Sequence, residues 1–139
     1  MNLYSQFKTD TNLEVSGVDL NYGTNSKGQP IIIKIARAGG ANKKYQKTLA
    51  ALSRPHRRSI QTESLPVEKS DELLRKAFAQ AVVLDMTGVE DAEGKPLPYS
   101  EENVEKLFTD LPDLFADVRE QANSSAIFRA EVLEATAKN

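Results

Sequence analysis

The 139-residue sequence contains no cysteine and no tryptophan, and His56 is its single histidine. Without cysteine there is no disulfide framework, no thiol nucleophile and no thiolate ligand for zinc. His56 lies in a run of arginines, which predicts a solvated side chain, and no nucleophile-elbow sequence accompanies it for serine–histidine catalysis. We therefore predict no catalytic residue, no cofactor and no metal site.

Long apolar runs are also missing. No stretch is long enough to cross a bilayer, and the first residues lack the basic segment followed by an apolar one that marks a signal peptide. Hydrophobic residues still make up 40% of the chain, which suffices for a packed core. We therefore expect a protein of a reducing cytoplasm, without membrane contact, whose length suits one domain with or without an appendage.

The first forty residues carry strand signals. Before Thr11 the chain is polar with scattered aromatic residues, which indicates an arm that orders only by docking. Apolar and polar residues then alternate in 13–22 and again in 30–37, with a glycine-containing loop between them. We predict an antiparallel β-hairpin there. Because an isolated hairpin is marginal in water, it must pack on helices, pair with another chain or stay mobile.

The middle of the chain carries a strong helical signal. Apolar residues recur every three to four positions from Leu73 to Leu84, so we predict a long helix that starts near Pro66 and ends at Gly88. The valine pair at 82–83 makes a strand possible at the end of this segment, but the preceding periodicity favours helix.

Further helices are predicted from their first residues. We expect Asn42 to cap a helix that runs to about residue 52, Ser100 to cap another, and Pro112 to open the next one. A last helix, capped within 123–125, would carry four apolar residues: Ile127, Phe128, Val132 and Leu133.

These signals predict an α+β fold. An N-terminal arm and an antiparallel β-hairpin occupy residues 1–40, and a mainly helical domain occupies residues 41–139. The two parts are expected to form one structural unit.

Charge is distributed unevenly along the chain. Residues 34–69 hold nine basic and two acidic residues, a net charge of +7, whereas residues 70–139 hold seven basic and fifteen acidic residues, a net charge of −8. Opposite charges of this kind could join two halves of one molecule or two molecules, or form an anion-binding face.

A cluster of basic residues in 43–58 supports a different class of function. Six cations there could contact the phosphates of a nucleic acid: Lys43, Lys44, Lys47, Arg54, Arg57 and Arg58. However, Tyr45 belongs to the apolar face of its helix, and no nucleic-acid-binding module is recognisable. Nucleic acid is therefore an unlikely partner.

Two other patterns have a ligand-binding and a plain interpretation. The helix-spaced carboxylates of 101–117 could bind a divalent cation, and the Gly39-Gly40 pair before a helix could bind a phosphate. A solvated surface that complements helix dipoles explains the first pattern. A turn explains the second, because the dinucleotide and Walker spacings are absent.

Several segments, taken in order, resemble one protein family. They are NLYSQFKTD at 2–10, KIARAGGANKK at 34–44, RKAFAQAVVLD at 75–85, Gly88-Val89, GKPLP at 94–98 and LFTDLPDLF at 107–115. Together they resemble a tail assembly chaperone of long-tailed, non-contractile bacteriophages. The resemblance covers nearly the whole chain and rests on the order of structural motifs. Met86 departs from the pattern, in which a large aromatic residue is expected.

The resemblance implies a non-enzymatic role. Such chaperones hold the long helical tape measure protein soluble, recruit tail tube protein around it and leave before the virion is complete. The chain would act in the host cell cytoplasm, be absent from the mature virion and correspond to the short form of a protein often also made in a frameshift-extended form. The alternatives are a nucleic-acid-binding regulator and a structural head–tail or tail component.

One segment is the candidate partner-binding site. Phe108, Leu111, Leu114 and Phe115 lie in two short helices separated by Pro112. A small domain cannot easily bury all four, and exposed apolar groups commonly mark a binding surface. We expect part of this segment to receive an amphipathic helix of the tape measure protein, with the hairpin as a second contact. Core packing of all four, and self-association through the hairpin or the opposite charges, are the alternatives.

Overall fold

The computed structural model describes residues 2–129. Within these residues, seven α-helices and three β-strands follow one another, with short 3-10 turns at Arg54–His56 and Ala126–Phe128. In chain order they are α1 (Leu3–Phe7), α2 (Thr11–Ser16), β1 (Val18–Thr24), β2 (Pro30–Ile35), α3 (Lys43–Ser53), α4 (Arg57–Gln61), α5 (Val67–Ala81), β3 (Val83–Thr87), α6 (Glu101–Asp110) and α7 (Pro112–Asn123). The predicted α+β class with an N-terminal hairpin is confirmed.

The three strands form one antiparallel sheet with β2 in the centre. On one face, two rows of apolar side chains run across the sheet and pack against the helices: Val18, Ile35 and Val83, then Leu20, Ile33 and Met86. The opposite face carries a charged row of Asp19, Lys34 and Asp85. One apolar and one polar face are what the alternation of strand side chains produces.

The helices form a layer over the apolar face of the sheet. α5 packs against both α3 and α6, and α6 packs against α7. Four aromatic rings connect these helices: Tyr45, Phe78, Phe115 and Phe108, with successive ring centroids 5.5, 5.4 and 4.9 Å apart. Such edge-to-face and tilted pairs contribute beyond their buried area. The hydroxyl of Tyr22 donates to Asp117 Oδ2 at 2.6 Å and ties β1 to α7.

The prediction of a helix as far as Gly88 was wrong, because α5 ends at Ala81 and residues 83–87 form β3. Two β-branched residues at 82–83 favour an extended chain. As a strand, this segment places Val83 opposite Ile35 and Met86 opposite Ile33. This pairing buries Val83 and Met86, which are 2% and 4% exposed, and it adds the third strand to the sheet.

The prediction of a strand from residue 13 was also wrong. Residues 11–16 form α2, whose first turn is capped by the Asp10 carboxylate accepting from the amides of Asn12 and Leu13. The segment before Thr11 contains α1, in which Asn2 and Ser5 form a reciprocal capping box. Both helices are too short for hydrophobic periodicity to reveal them, and their caps are the stronger signal.

The predicted helix starts were partly right. The Ser100 hydroxyl accepts from the amide of Asn103 at 3.0 Å, and Pro112 occupies the first turn of α7. Asn42 precedes α3 but its side chain does not cap the helix: the side-chain Nδ2 donates to the carbonyl oxygens of Arg37 and Ala81 instead. In the predicted last helix, Ile127 and Phe128 lie in a 3-10 turn, whereas Val132 and Leu133 lie outside the described residues.

A buried carboxylate holds the N-terminal segment to the body. Glu14 is 2% exposed and pairs with Arg37 at 3.3 Å. Its side chain also accepts from the Thr9 hydroxyl and from the Ala41 amide, the latter at 2.8 Å. Burial alone raises the pKa of Glu14, but the bonds from Thr9 and Ala41 and the charge of Arg37 outweigh it, so the pKa lies below its usual 4.5.

We expect Glu14→Gln to lower the free energy of unfolding at pH 7 by about 2 kcal/mol, because a charge-assisted network loses its anion. Since the folded pKa is lowered, the wild-type stabilisation is present above about pH 4.5 and is lost as the pH falls through the folded value. Urea titrations across pH 3–7 should show the two curves converging in acid. Glu72→Gln is the control: it removes a half-buried surface carboxylate that pairs with Lys69 and Lys76 on the same helix, and it should change the stability little. If the difference in unfolding free energy between the wild-type protein and Glu14→Gln stayed constant with pH, the stabilising role of the ionised Glu14 would be contradicted.

Candidate partner-binding surface

The four residues proposed from the sequence separate into two groups. Phe108 and Phe115 are core residues, 2% and 6% exposed, and Leu114 is half-buried against the same core. Leu111 is 50% exposed at the junction of α6 and α7. Pro112 begins a new helix there, so the chain changes direction and Leu111 leaves the apolar face on which its neighbours lie. Of the four, Leu111 is therefore the residue that can meet a partner.

Leu111 lines a groove of about 320 Å³ between α6 and the loop that follows β3. We call this the leucine groove: its apolar lining is Leu97, Leu107, Leu111 and Ala92, and its charged rim is Glu90, Asp91, Glu93, Asp110 and Lys106. Leu107 lies in the last turn of α6 and is 8% exposed, whereas Leu111 is the non-helical residue that follows the helix and is the exposed one of the two. The groove is thus an apolar strip bordered by charge.

The loop side of the leucine groove is held in place by hydrogen bonds. The carboxylate of Glu90 accepts from the amide and hydroxyl of Ser26, at 2.8 and 2.6 Å, and these bonds lower its pKa. Asp91 accepts from the amides of Lys95 and Glu93, and the bond from Lys95 is the main cause of its lowered pKa. Both groups therefore remain ionised near neutral pH.

The other two acids of the rim, Glu93 and Asp110, are exposed. Within residues 2–129 no lysine, arginine or histidine nitrogen lies within 4.0 Å of either carboxylate. The rim as a whole holds four carboxylates and one ammonium group, a net charge of −3. A ligand of this groove would meet apolar side chains in the centre and negative charge at the edges.

A second exposed apolar area lies on α1, and the sequence interpretation missed it. Leu3, Tyr4 and Phe7 are 70%, 81% and 63% exposed. The guanidinium of Arg129 lies 5.7 Å from the centre of the Phe7 ring, so this helix is next to the last described residue. The capping box of Asn2 and Ser5 was the signal that could have identified it. We call these three residues the N-terminal patch.

The basic residues of 43–58 lie on the outside of α3 and α4. All six cations are exposed: Lys43, Lys44, Lys47, Arg54, Arg57 and Arg58. Tyr45, the aromatic residue among them, packs edge-on against Phe78 and is not available to stack on a base. The surface offers phosphate contacts without an aromatic platform.

The described part of the chain shows no cluster of side chains arranged as a metal site, and its single histidine lies in a 3-10 turn. Among residues 2–129, no group of three or more His, Cys, Asp or Glu side chains is placed to hold a metal ion. His56 is half-buried in the 3-10 turn between α3 and α4. The same residues include no helix long and apolar enough to span a bilayer. The expectation that the protein is not an enzyme stays a prediction.

Comparison with known families gives one result. The family described as YdaY prophage protein matches residues 40–139, well over half of the sequence. The chain belongs to this family. It is therefore a phage-related protein. No curated protein and no solved structure matches the chain significantly.

The family match covers one of the two exposed apolar areas and not the other. The leucine groove lies entirely within residues 40–139 and so belongs to the segment that defines the prophage family. The N-terminal patch, α2, β1 and β2 lie outside that segment.

Proposed function

We propose that this prophage protein is a tail assembly chaperone of a long-tailed, non-contractile phage. In this role it binds the tape measure protein, keeps it soluble and promotes assembly of the tail tube around it. It acts without enzymatic chemistry in the host cell cytoplasm, and it is absent from the mature virion.

The observation that carries the proposal is the prophage family membership of residues 40–139, together with the order of motifs that resembles such chaperones. The leucine groove adds a physical reason. Leu111 is half-exposed in a concave surface that is apolar in the centre and charged at the edge, a form that binding sites for other molecules commonly have. An amphipathic helix that lays its apolar side in a groove is a common mode of recognition, and a tape measure protein presents many such helices.

The test is co-expression with the tape measure protein encoded in the same prophage. Expressed alone, that long helical protein should collect in the insoluble fraction, and with this chain present its soluble fraction should rise several-fold. Leu111→Ser should remove most of the gain while the variant stays folded, because half of the leucine side chain is already in water. An unchanged soluble fraction with the wild-type chain would refute the chaperone role.

Two alternatives give different results in the same system. A structural head–tail or tail component would be found by mass spectrometry in finished tails, whereas a chaperone would not. A nucleic-acid-binding regulator is favoured by the six exposed cations of 43–58. It would bind DNA in a sequence-selective manner below micromolar concentration at physiological salt. We expect instead only the weak, salt-sensitive binding that unspecific phosphate contacts give.

A further inference from the structure

We infer that the leucine groove receives a partner helix of one kind: an amphipathic helix whose apolar ridge is flanked by lysine or arginine. This inference rests on the proposed function for the identity of the partner, the tape measure protein. It adds the chemistry by which the groove selects a segment of that partner.

The floor of the groove indicates a helix as the occupant. Leu107 ends the buried side of α6, Leu111 follows the helix, and Leu97 lines the groove from the loop, so the three leucines form an apolar strip. A helix with apolar residues three and four positions apart presents a narrow apolar ridge, which suits a strip of this kind. The groove volume, about 320 Å³, lies at the lower end for small-molecule pockets, and an open strip of leucines suits side chains from another chain better.

The rim indicates the charge of the occupant. Four carboxylates and one ammonium border the leucines, and the bonds that Ser26 and Lys95 make to Glu90 and Asp91 keep two of the carboxylates in fixed positions. Glu93 and Asp110 are exposed on the two sides of the strip and are available to new cations. A helix with glutamates beside its apolar ridge would place like charges together at these positions, which should lower its binding affinity several-fold.

The experiment uses two synthetic helical peptides with the same leucine ridge at i, i+3, i+4 and i+7. One peptide has lysines beside the ridge and the other has glutamates. Fluorescence polarisation of labelled peptide with the full-length protein should show at least tenfold tighter binding of the lysine peptide, and the preference should shrink as salt rises. Leu111→Ser should weaken the lysine peptide tenfold or more, whereas Leu3→Ser, in the N-terminal patch, should not.

A matched pair of charge variants makes the test specific to the groove. Glu93→Lys combined with Asp110→Lys should abolish or reverse the preference between the peptides. Glu68→Lys combined with Glu120→Lys changes the net charge by the same amount at exposed positions that do not line the groove, and it should leave the preference largely intact. Equal effects of the two double variants would show that only overall charge matters and would overturn the inference.

Two further outcomes would also overturn it. One is equal binding of both peptides by the wild-type protein. The other is self-association of the chain that Leu111→Ser disrupts, because a second copy would then be the occupant. The peptide result is separate from the co-expression result. If the lysine peptide binds as expected and the tape measure protein stays insoluble, the chaperone role fails. If the tape measure protein is kept soluble but the charge variants have no effect, the groove inference fails.

Discussion

Replacing Phe78 with alanine should lower the free energy of unfolding by about 3–5 kcal/mol, the range for removing a fully buried aromatic side chain. Phe78 is 1% exposed and stands between the rings of Tyr45 and Phe115, at 5.5 and 5.4 Å. Its loss leaves a cavity at the point where α3, α5 and α7 meet, and it removes two edge-to-face contacts. Against a typical domain stability of about 5–15 kcal/mol, this is a large fraction.

Thermal unfolding followed by circular dichroism should show a decrease in Tm of roughly 10 °C or more for this variant. If Phe78→Ala does not fold at all, Phe78→Leu should fold with a smaller loss. Leu111→Ala is the matched control, because it truncates a residue that is half in water, and its cost should stay within about 1 kcal/mol. A loss at Leu111 as large as that at Phe78 would mean that Leu111 is a core residue and that the groove is not a free surface.

Replacing Gly88 with alanine should also be strongly destabilising, by about 2–5 kcal/mol, because a steric overlap and a left-handed backbone act together. Gly88 follows β3 with a φ of +72°, and a Cβ atom there would overlap the backbone oxygen of Pro30. Backbone cannot move aside as a flexible side chain can, so the start of β2 would have to shift. The left-handed conformation adds its own cost for any residue with a Cβ.

Gly94→Ala separates the two causes. Gly94 also has a left-handed conformation, with a φ of +80°, but a Cβ atom there would meet nothing within 4 Å. We expect a cost of about 1 kcal/mol from backbone conformation alone. In urea unfolding experiments, the midpoint of Gly88→Ala should therefore lie at a clearly lower urea concentration than that of Gly94→Ala. Equal midpoints would contradict the close approach of Gly88 to β2.

The features that could be predicted from sequence are those set by local chemistry. Ser100 and Pro112 mark the starts of α6 and α7 because capping and proline geometry depend on a few neighbouring residues. The third strand was not predicted, because its formation depends on a segment that is distant in the sequence. Val83 and Met86 belong to a strand because they pair with Ile35 and Ile33 of β2. The periodicity of the preceding helix carries no information about that pairing.

The candidate site shows the same limit. Spacing assigns Phe108, Leu111 and Phe115 to apolar positions, but it does not say which of them the core accepts. The exposure of Leu111 follows from the change of direction at Pro112, and the groove beside it requires the loop after β3, which Ser26 on the β1–β2 hairpin holds in place. The sequence predicts Asp110 only as part of a solvated helix surface, and it is the fold that brings Asp110 and the acids of 90–93 to one apolar strip.

Our central proposal is that the leucine groove binds the tape measure protein. Amide hydrogen exchange of the full chain, free and in a co-purified complex with the tape measure protein, tests it most directly. Protection that increases in residues 90–97 and 104–111, with little change in α1 or on the outer face of α3, is the predicted result. A stable complex in which those two segments exchange as fast as in the free protein, with protection confined to Leu3–Phe7 or to α3, would contradict the claim.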